Sequence, residues 1–487
     1  MLFNSIEFAV FLPIVFILYW FVFNKQLRLQ NLFIVFVSYI FYGWWDWRFL
    51  ILIAFTTLCS WFSGILIEKI RLKHETKIQK INWAKIISTS NIILNLGILG
   101  VYKYFNFFVA SFVEAFANIN IHLEPATLYL ILPVGISFYT FQALSYSIDV
   151  YRKQLKATND IVSFFAYISF FPQLVAGPIE RATNLLPQFY KKRTFDYENS
   201  IKGMRQILWG LFKKVVIADN CAQYANTIFD NFNDYNGSTL FIGAIFFAIQ
   251  IYGDFSGYSD IAIGTARLFG FNLMKNFAFP YFSRDIAEFW RRWHISLSTW
   301  FRDYLYIPLG GSRGGKWLSI RNTLIIFTVS GFWHGANRTF IIWGLINALF
   351  IFPSILLKTN RVNLEIVAKG KWLPSISDLY KIATTFILVS LAWIFFRSES
   401  VFQSYIIIKE IFSISFFSIP EITGDRFLKI AVLIFFIIEW LGRESEFAIH
   451  KNVLLKNNIT RWIFYVILSI SILYFIGEEQ QFIYFQF

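Results

Sequence analysis

The sequence predicts an all-α polytopic membrane protein, and two observations carry that prediction. Only 15% of its 487 residues are charged and 56% are hydrophobic, whereas about 25% of the residues in a soluble chain are charged. Long apolar runs with almost no charge recur along the chain, for example at residues 8–23, 49–67 and 463–477. Because one span needs about 20 apolar residues, we expect roughly 11 membrane segments, together with re-entrant and interfacial helices.

The basic residues predict how the chain is oriented in the membrane. Segments 24–31, 68–85 and 151–156 are rich in Lys and Arg, and such loops stay on the cytoplasmic side. Segment 442–461 is also basic, so the last span should cross outward and leave the aromatic tail 478–487 outside. The net charge of +14 therefore reflects membrane topology and does not indicate nucleic-acid binding.

In the middle of the chain, the apolar runs are interrupted by Gly, Pro and charged residues. We expect one domain, 1–487, divided into N-terminal spans (1–160), core motifs (161–350), C-terminal spans (351–477) and the tail (478–487). Segment 170–189 is apolar but contains Pro172 and Pro178, which predicts a re-entrant segment covered by protein. Segment 251–264 places Asp254 and Asp260 among apolar residues. Intramembrane carboxylates are functional candidates; the alternative is that they cap broken helices or pair with Arg.

Residues 283–316 predict an amphipathic helix on the cytoplasmic surface of the membrane, in contact with lipids. Its apolar stripe comprises Ile286, Trp290, Trp293, Leu297, Phe301 and Tyr304. Arg291, Arg292 and Arg302 lie on the opposing arc, and His294 lies at the boundary between the two faces. A histidine there is either a hydrogen-bonded structural residue or a functional one.

Two further stretches bear on chemistry. The sequence "PLGGSRGGK" (308–316), with Arg313, is either a phosphate-binding backbone nest or an ordinary tight connection. His334 lies in "VSGFWHGAN" inside an apolar segment, where an ionisable side chain is costly. It is either a structural histidine or a general base. The sequence supplies no metal-ligand set or P-loop, and Cys59 and Cys221 indicate neither a disulfide nor a thiolate metal site.

Five motifs together resemble the membrane-bound O-acyltransferase family. They are "LPVGISFYTFQALSYSIDVYR", "FPQLVAGPIER", "YGDFSGYSD", "FWRRWHISLSTWFRDYLYIPLGGSRGG" and "SGFWHGAN". The similarity is to the bacterial polysaccharide branch, which contains alginate and peptidoglycan O-acetyltransferases and the teichoic-acid D-alanyl transferase. It implies a funnel-shaped multi-helix core with the essential histidine at His334 and a second histidine at His294. It also implies a thioester donor presented from the cytoplasm, and no bound cofactor.

The chain ends in "QQFIYFQF", where Tyr484 stands among Phe482, Phe485 and Phe487. In the related D-alanylation system, a separate small membrane protein has a similar short aromatic ending, whose tyrosine is thought to accept the acyl group. We therefore expect Tyr484 to be an acyl relay. The alternative is an interfacial aromatic anchor.

The expected function is O-acetylation of a cell-envelope polysaccharide from the bacterial plasma (inner) membrane, with peptidoglycan preferred to alginate. Acetyl-CoA would be the donor, with its phosphates on Arg291, Arg292, Arg302 and Arg313. An extracytoplasmic, esterase-like transferase would complete delivery. A teichoic-acid D-alanyl transferase is the alternative within the enzyme class. A transporter or flippase, suited by broken helices and intramembrane carboxylates, is the alternative outside it.

Overall fold

The structure is a computed structural model that describes residues 1–74, 82–124, 127–128, 130–175, 177–451, 457–475, 480 and 482–483. These residues form helices and connecting turns, and none of them belongs to a β-strand. They divide into two compact units, one of Met1–Ser200 with Thr265–Met274, the other of Ile201–Gly264 with Lys275–Phe487.

The helices of the first unit are α1 (Ile6–Ile17), α2 (Leu27–Gly43), α3 (Arg48–His74), α4 (Trp83–Leu99), α5 (Phe105–Ala117), α6 (Ile136–Tyr151), α7 (Ile161–Ser169), α8 (Phe171–Leu174) and α9 (Ala182–Leu185). The segment expected to be re-entrant forms the single turns α8 and α9 and a 3-10 turn at Leu186–Tyr190. It is not a continuous span. Its proline-containing part is buried within protein, where irregular backbone is tolerated.

The helices of the second unit are α10 (Tyr197–Leu211), α11 (Asp219–Asp230), α12 (Gly237–Leu268), α13 (Ile286–Arg292), α14 (Ile295–Phe301), α15 (Lys316–His334), α16 (Arg338–Leu356), α17 (Ile376–Arg397), α18 (Val401–Ile411), α19 (Arg426–Gly442) and α20 (Asn458–Tyr474). The last turn of α12 belongs to the first unit. Wide π-helical turns follow α10, at Phe212–Ala218, and α14, at Arg302–Tyr306.

Five helices in the described part of the chain are long and apolar enough to cross a membrane: α3, the stretch from α4 through α5, α12, α16 and α17. Three shorter apolar helices accompany them, at Ile6–Val22, Leu27–Gly43 and Asn458–Tyr474. The all-helical, multi-pass membrane class is therefore confirmed, whereas the expected number of roughly 11 segments stays a prediction.

The prediction of one continuous amphipathic helix over residues 283–316 is wrong. The helix α13 ends at Arg292, Trp293 is extended, and His294 is left-handed with a φ of 43° and a ψ of 55°. The helix α14 begins after this break. Two hydrogen bonds from a neighbouring segment bracket the break: Ala278 N donates to Arg292 O at 3.0 Å, and Ile295 N donates to Asn276 O at 2.8 Å. Tertiary bonds therefore replace the helical ones, which periodicity alone does not reveal.

Candidate active site

A cavity of about 730 Å³ lies in the second unit and contains both candidate histidines, His294 and His334, in its lining. Its walls come from α13 to α16 and from the segments that follow α14 and α16. The two histidines are buried, at 2% and 6% exposure. Lys316, Lys358 and Arg361 line it as well and are exposed. The cavity therefore has a cationic mouth and a buried histidine end.

Helix α15 gives the cavity its length. The residues of α15 that line it recur every three or four positions and so share one face: Lys316, Ser319, Thr323, Ile326, Phe327, Ser330 and His334. The first and the last of these residues are 18 positions apart, which corresponds to about 27 Å at the helical rise of 1.5 Å per residue. The cavity thus links a cation at the start of α15 to a histidine at its end.

Close packing of α15 on α16 fixes the position of His334. A Cβ atom at Gly331 would clash with the carbonyl oxygen of Phe340, and one at Gly344 would clash with that of Phe327. Only glycine lets the two backbones approach this closely. Since Gly331 lies less than one turn before His334, this contact holds the imidazole at a fixed depth along α15.

The wall around His334 is aromatic. Its ring meets Trp343 edge-on at a centroid distance of 5.3 Å and Phe396 at 5.4 Å. Trp393 stacks on Trp343 at 5.4 Å and contacts Trp293, the neighbour of the second histidine, at 5.1 Å. Rings of this kind exclude water, and in such surroundings electrostatic interactions are stronger than in water.

His294 is held by a side-chain network instead of a helix. A left-handed conformation at a non-glycine residue costs about 1–3 kcal/mol and is concentrated at functional sites. The Nδ1 atom of His294 lies 3.0 Å from Oδ1 of Asn276, a fully buried residue. That oxygen also accepts from Ser296, at 2.9 Å from its hydroxyl and 3.4 Å from its backbone N–H. The amide nitrogen of Asn276 donates to Ser259 Oγ at 3.0 Å.

This network sets the tautomer of His294. A backbone N–H can only donate, so the Asn276 atom that receives it is the amide oxygen. An oxygen acceptor requires a hydrogen on Nδ1 of His294, which leaves the lone pair on Nε2. Burial, with a smaller contribution from His334, lowers the pKa of His294 well below its usual range. The buried imidazole of His294 is therefore held towards its neutral form, with the lone pair on Nε2.

The four predicted arginines do not share one environment. Arg291 lines the cavity and donates to two backbone carbonyls of the segment after α16, at 2.7 and 2.8 Å. Arg302 lines it too and pairs with the adjacent aspartate at 2.6 Å. Arg292 pairs with the buried Glu288 at 2.8 Å and is not among the lining residues. Arg313 is not among them either.

Sequence reasoning missed three cations of the mouth: Lys316, Lys358 and Arg361. Lys316 ends the glycine-rich stretch, but that motif does not indicate that its side chain lies on the cavity face of α15. Lys358 and Arg361 lie in the connection after α16, and no local pattern marks them. Together with Arg291 and Arg302 they give the described lining five cations and no Asp or Glu. An anionic ligand is therefore favoured at this end.

The intramembrane carboxylates pair with lysines, and their helix α12 is unbroken. Asp260 accepts from Lys213 at 2.6 Å. Asp254 forms an ion pair with Lys214 at 2.7 Å, and Lys214 also pairs with Asp219 at 2.7 Å. The lysines come from the π-helical turn after α10. The structural alternative, that these carboxylates cap broken helices or pair with Arg, is therefore corrected: their partners are lysines, and α12 is continuous. Their status as functional candidates stays a prediction.

Another face of α12 supports His294. Phe255 and Ser259 are four residues apart and so lie on one face of the helix. The Phe255 ring meets the His294 ring edge-on at 4.6 Å, while Ser259 holds Asn276. The motif "YGDFSGYSD" therefore both pairs the buried lysines and fixes the second histidine.

Tyr484 lies outside the described residues. Two residues before it, Phe482 is fully buried, with its ring 4.3 Å from the ring of Tyr258 and 6.0 Å from that of Phe255. Ile483 is buried as well. An aromatic anchor at the lipid–water interface would expose such a ring, whereas Phe482 packs inside the protein.

Residues 42–368 match the family model of the membrane-bound O-acyltransferases, MBOAT. The chain belongs to this family. It is 37% identical over 447 residues to the probable alginate O-acetylase AlgI of Pseudomonas aeruginosa, covering 90% of this chain and 81% of that protein. It is 34% identical over 440 residues to the peptidoglycan O-acetyltransferase of Helicobacter pylori, covering 84% and 79%. The teichoic acid D-alanyltransferase of Bacillus subtilis matches at 30% over 258 residues, covering 50% and 63%.

Membership makes this protein an acyltransferase of the MBOAT type. The matched range contains the whole cavity lining, from Ala287 to Leu364. The cavity with its two histidines is therefore the candidate active site of the acyltransferase.

Proposed function

We propose that this MBOAT acyltransferase moves an acetyl group from cytoplasmic acetyl-CoA to Tyr484, and from there to a cell-envelope polysaccharide on the outer face of the plasma membrane. The observation that carries the proposal is the polarity of the cavity. Five cations and no carboxylate are among its described lining residues; the cations are exposed, whereas the two histidines are buried.

The mouth suits the phosphates of coenzyme A. Lysine is a flexible point charge for phosphate, and the arginine guanidinium offers paired donors for two oxygens. Lys316, Lys358 and Arg361 are exposed, so they can meet a donor that arrives from the cytoplasm. The thioester, carried on a long and mostly uncharged arm, would lie along α15 and end near His334.

Tyr484 and His334 together supply the nucleophile and the base that the transfer step needs. The phenol oxygen of Tyr484 attacks the thioester carbonyl carbon, so that a C–O bond forms while the C–S bond breaks. His334 takes the phenol proton and returns it to the departing thiolate as free coenzyme A. His294, with its lone pair on Nε2, accepts a hydrogen bond within the same cavity. A phenol has a pKa of about 10 and is therefore a good leaving group, so the acetyl ester stays activated.

The polysaccharide is the final acceptor, reached through an extracytoplasmic, esterase-like transferase. Relatives named for alginate and for peptidoglycan acetylation match at similar identity, 37% and 34%. We propose peptidoglycan as the first acceptor to test and alginate as the second.

A teichoic-acid D-alanyl transferase is the second candidate, favoured by the match to the Bacillus subtilis protein over half of this chain. The acetylases match over a larger share of it. The cationic mouth does not separate the two, because an acidic carrier protein would also be attracted to it.

The test uses the purified full chain in detergent with acetyl-CoA labelled in the acetyl group. Acetyl-CoA should acetylate the protein and release free coenzyme A, whereas a D-alanyl carrier protein should not label it. Absence of both label transfer and coenzyme A release, in a chain that is monodisperse and correctly folded, would overturn acetyl-CoA as donor. Labelling by the D-alanyl carrier alone would establish the second candidate.

A further inference from the structure

The described end of the chain is held by two buried charged residues of the second unit. Lys214 Nζ donates to the carbonyl oxygen of Gln480 at 3.1 Å. The backbone N–H of Ile483 donates to Oδ2 of Asp254 at 2.7 Å. Both contacts go to the tail's main chain, one on each side of Phe482.

These charged residues need the tail to complete their pairing. The side chains of Lys214 and Asp254 are 1% and 3% exposed and lie 2.7 Å apart. Burying two charges is costly unless hydrogen bonds satisfy their remaining polar atoms. The ammonium of Lys214 forms an ion pair with Oδ1 of Asp254, and the N–H of Ile483 donates a hydrogen bond to Oδ2. The tail thus supplies the partner of the second carboxylate oxygen.

Phe482 adds a side-chain contact between those two backbone bonds. Its ring packs on Tyr258, which stands one helical turn after Asp254 on the same face of α12. Its other neighbour is Phe255, whose ring meets His294. One aromatic ring therefore separates the docked tail from the second histidine of the active site.

We propose that Lys214, Asp254, Tyr258 and Phe255 form a tail seat that positions the C-terminal segment for acyl transfer. Lys214 and Asp254 recognise the main chain of the tail, and the two rings select an aromatic residue at position 482. These are positioning residues, because they touch the tail and not the reacting atoms. Docking of the tail follows from the contacts alone, whereas its role in transfer rests on the proposed relay through Tyr484.

The first experiment measures docking without activity. Carboxypeptidase trimming of the full chain in detergent, followed by mass spectrometry, reports how often the tail leaves the seat. Phe482→Ala, and the double variant Lys214→Met/Asp254→Leu, should be trimmed at least about tenfold faster than the parent chain. The double variant replaces both charges by apolar groups, a change that buried ion pairs often tolerate.

Lys213→Met/Asp260→Leu is the matched control, since it removes the neighbouring ion pair between the π-helical turn and α12, which does not contact the described tail residues. It should be trimmed at the parental rate. Parental rates in both seat variants would overturn the seat. Equal acceleration in the control would also overturn it, because the effect would then come from a loosened core.

The second experiment links the seat to transfer through the register of the tail. A glycine inserted between Ile483 and Tyr484 keeps the seat contacts but displaces Tyr484 by up to about 3.5 Å along the chain. A glycine inserted after Gly477 lies before the seat contacts and before Tyr484, so it leaves the spacing between them unchanged. The first insertion should lower polysaccharide acetylation at least tenfold at unchanged trimming, and the second should leave both near parental levels.

The two proposals fail separately. Faster trimming of the seat variants with parental acetylation would retain docking and overturn the role of the seat in transfer. A second outcome is that the seat variants lose acetylation while the Tyr484→Phe variant remains active. This outcome would overturn the relay through Tyr484 and retain the seat.

Discussion

The two ends of the cavity are built in opposite ways. The mouth carries several exposed cations on loops and helix ends. The inner end carries two buried histidines, each held by a different device: His334 by close packing of α15 on α16, and His294 by the Asn276 network. Both inner residues are surrounded by aromatic rings.

This difference indicates that the mouth attracts the donor, whereas the inner end carries out the transfer step. Exposed charges act at long range, share their task and are screened by salt. Buried groups act over hydrogen-bond distances in a dry environment and have no substitute. Substitutions at the inner end should therefore change kcat by large factors, whereas substitutions at the mouth should change KM by small ones.

The largest effect is expected from His334. We predict that His334→Ala lowers acetyl transfer at least about 100-fold, because the base that takes the phenol proton is lost. His294→Ala should cost about tenfold and leave measurable turnover. Both rates are measured with labelled acetyl-CoA on protein of parental monodispersity and protease resistance. Near-parental turnover of a folded His334→Ala variant would show that His334 is not the base. It would also contradict the proposed difference between the two ends of the cavity.

An intermediate effect is expected from Asn276, which sharpens the account of the inner end. In Asn276→Asp a carboxylate faces Nδ1 of His294, stabilises the imidazolium and raises its pKa. Since His294 can accept a hydrogen bond through Nε2 only as the neutral imidazole, the acid limb of the pH–rate profile should move to higher pH. Asn276→Leu should lower kcat by no more than His294→Ala does.

Two controls accompany this pH profile. Ser259→Ala keeps the bond between Asn276 and His294 and should leave the acid limb unmoved. In the His294→Ala background, Asn276→Asp should shift nothing further, because the group that titrates is gone. A shift that persists there would assign the pH dependence to another residue.

The smallest effects are expected at the mouth. Lys316→Gln/Arg361→Gln should raise the KM for acetyl-CoA by roughly three- to tenfold at low salt, with kcat retained, and the increase should fade as salt screens the remaining charge. Arg313→Gln is the matched control, because it removes an exposed cation close to Lys316 that does not line the cavity. An equal rise in KM in both variants would mean that net surface charge, and not the mouth, attracts the donor.

The sequence was sufficient for features that follow from composition or from a local motif. The all-helical membrane class follows from uncharged apolar runs, and His294 and His334, singled out from two separate motifs, line one cavity. The break at His294 was not predictable from periodicity, because the bonds that create it come from Asn276 and Ala278. Tertiary contact likewise decides that Asp254 and Asp260 pair with lysines, and that Lys358 and Arg361 reach the mouth.

The central claim is that the acetyl group passes through the cavity to Tyr484, and mass spectrometry of the C-terminal peptide tests it most directly. After incubation of the full chain with acetyl-CoA and without an acceptor, the peptide should carry one acetyl ester on Tyr484. The ester should be absent from Tyr484→Phe and from His334→Ala, although both variants retain the Phe482 ring. A Tyr484→Phe chain that still acetylates polysaccharide at the parental rate would contradict the relay.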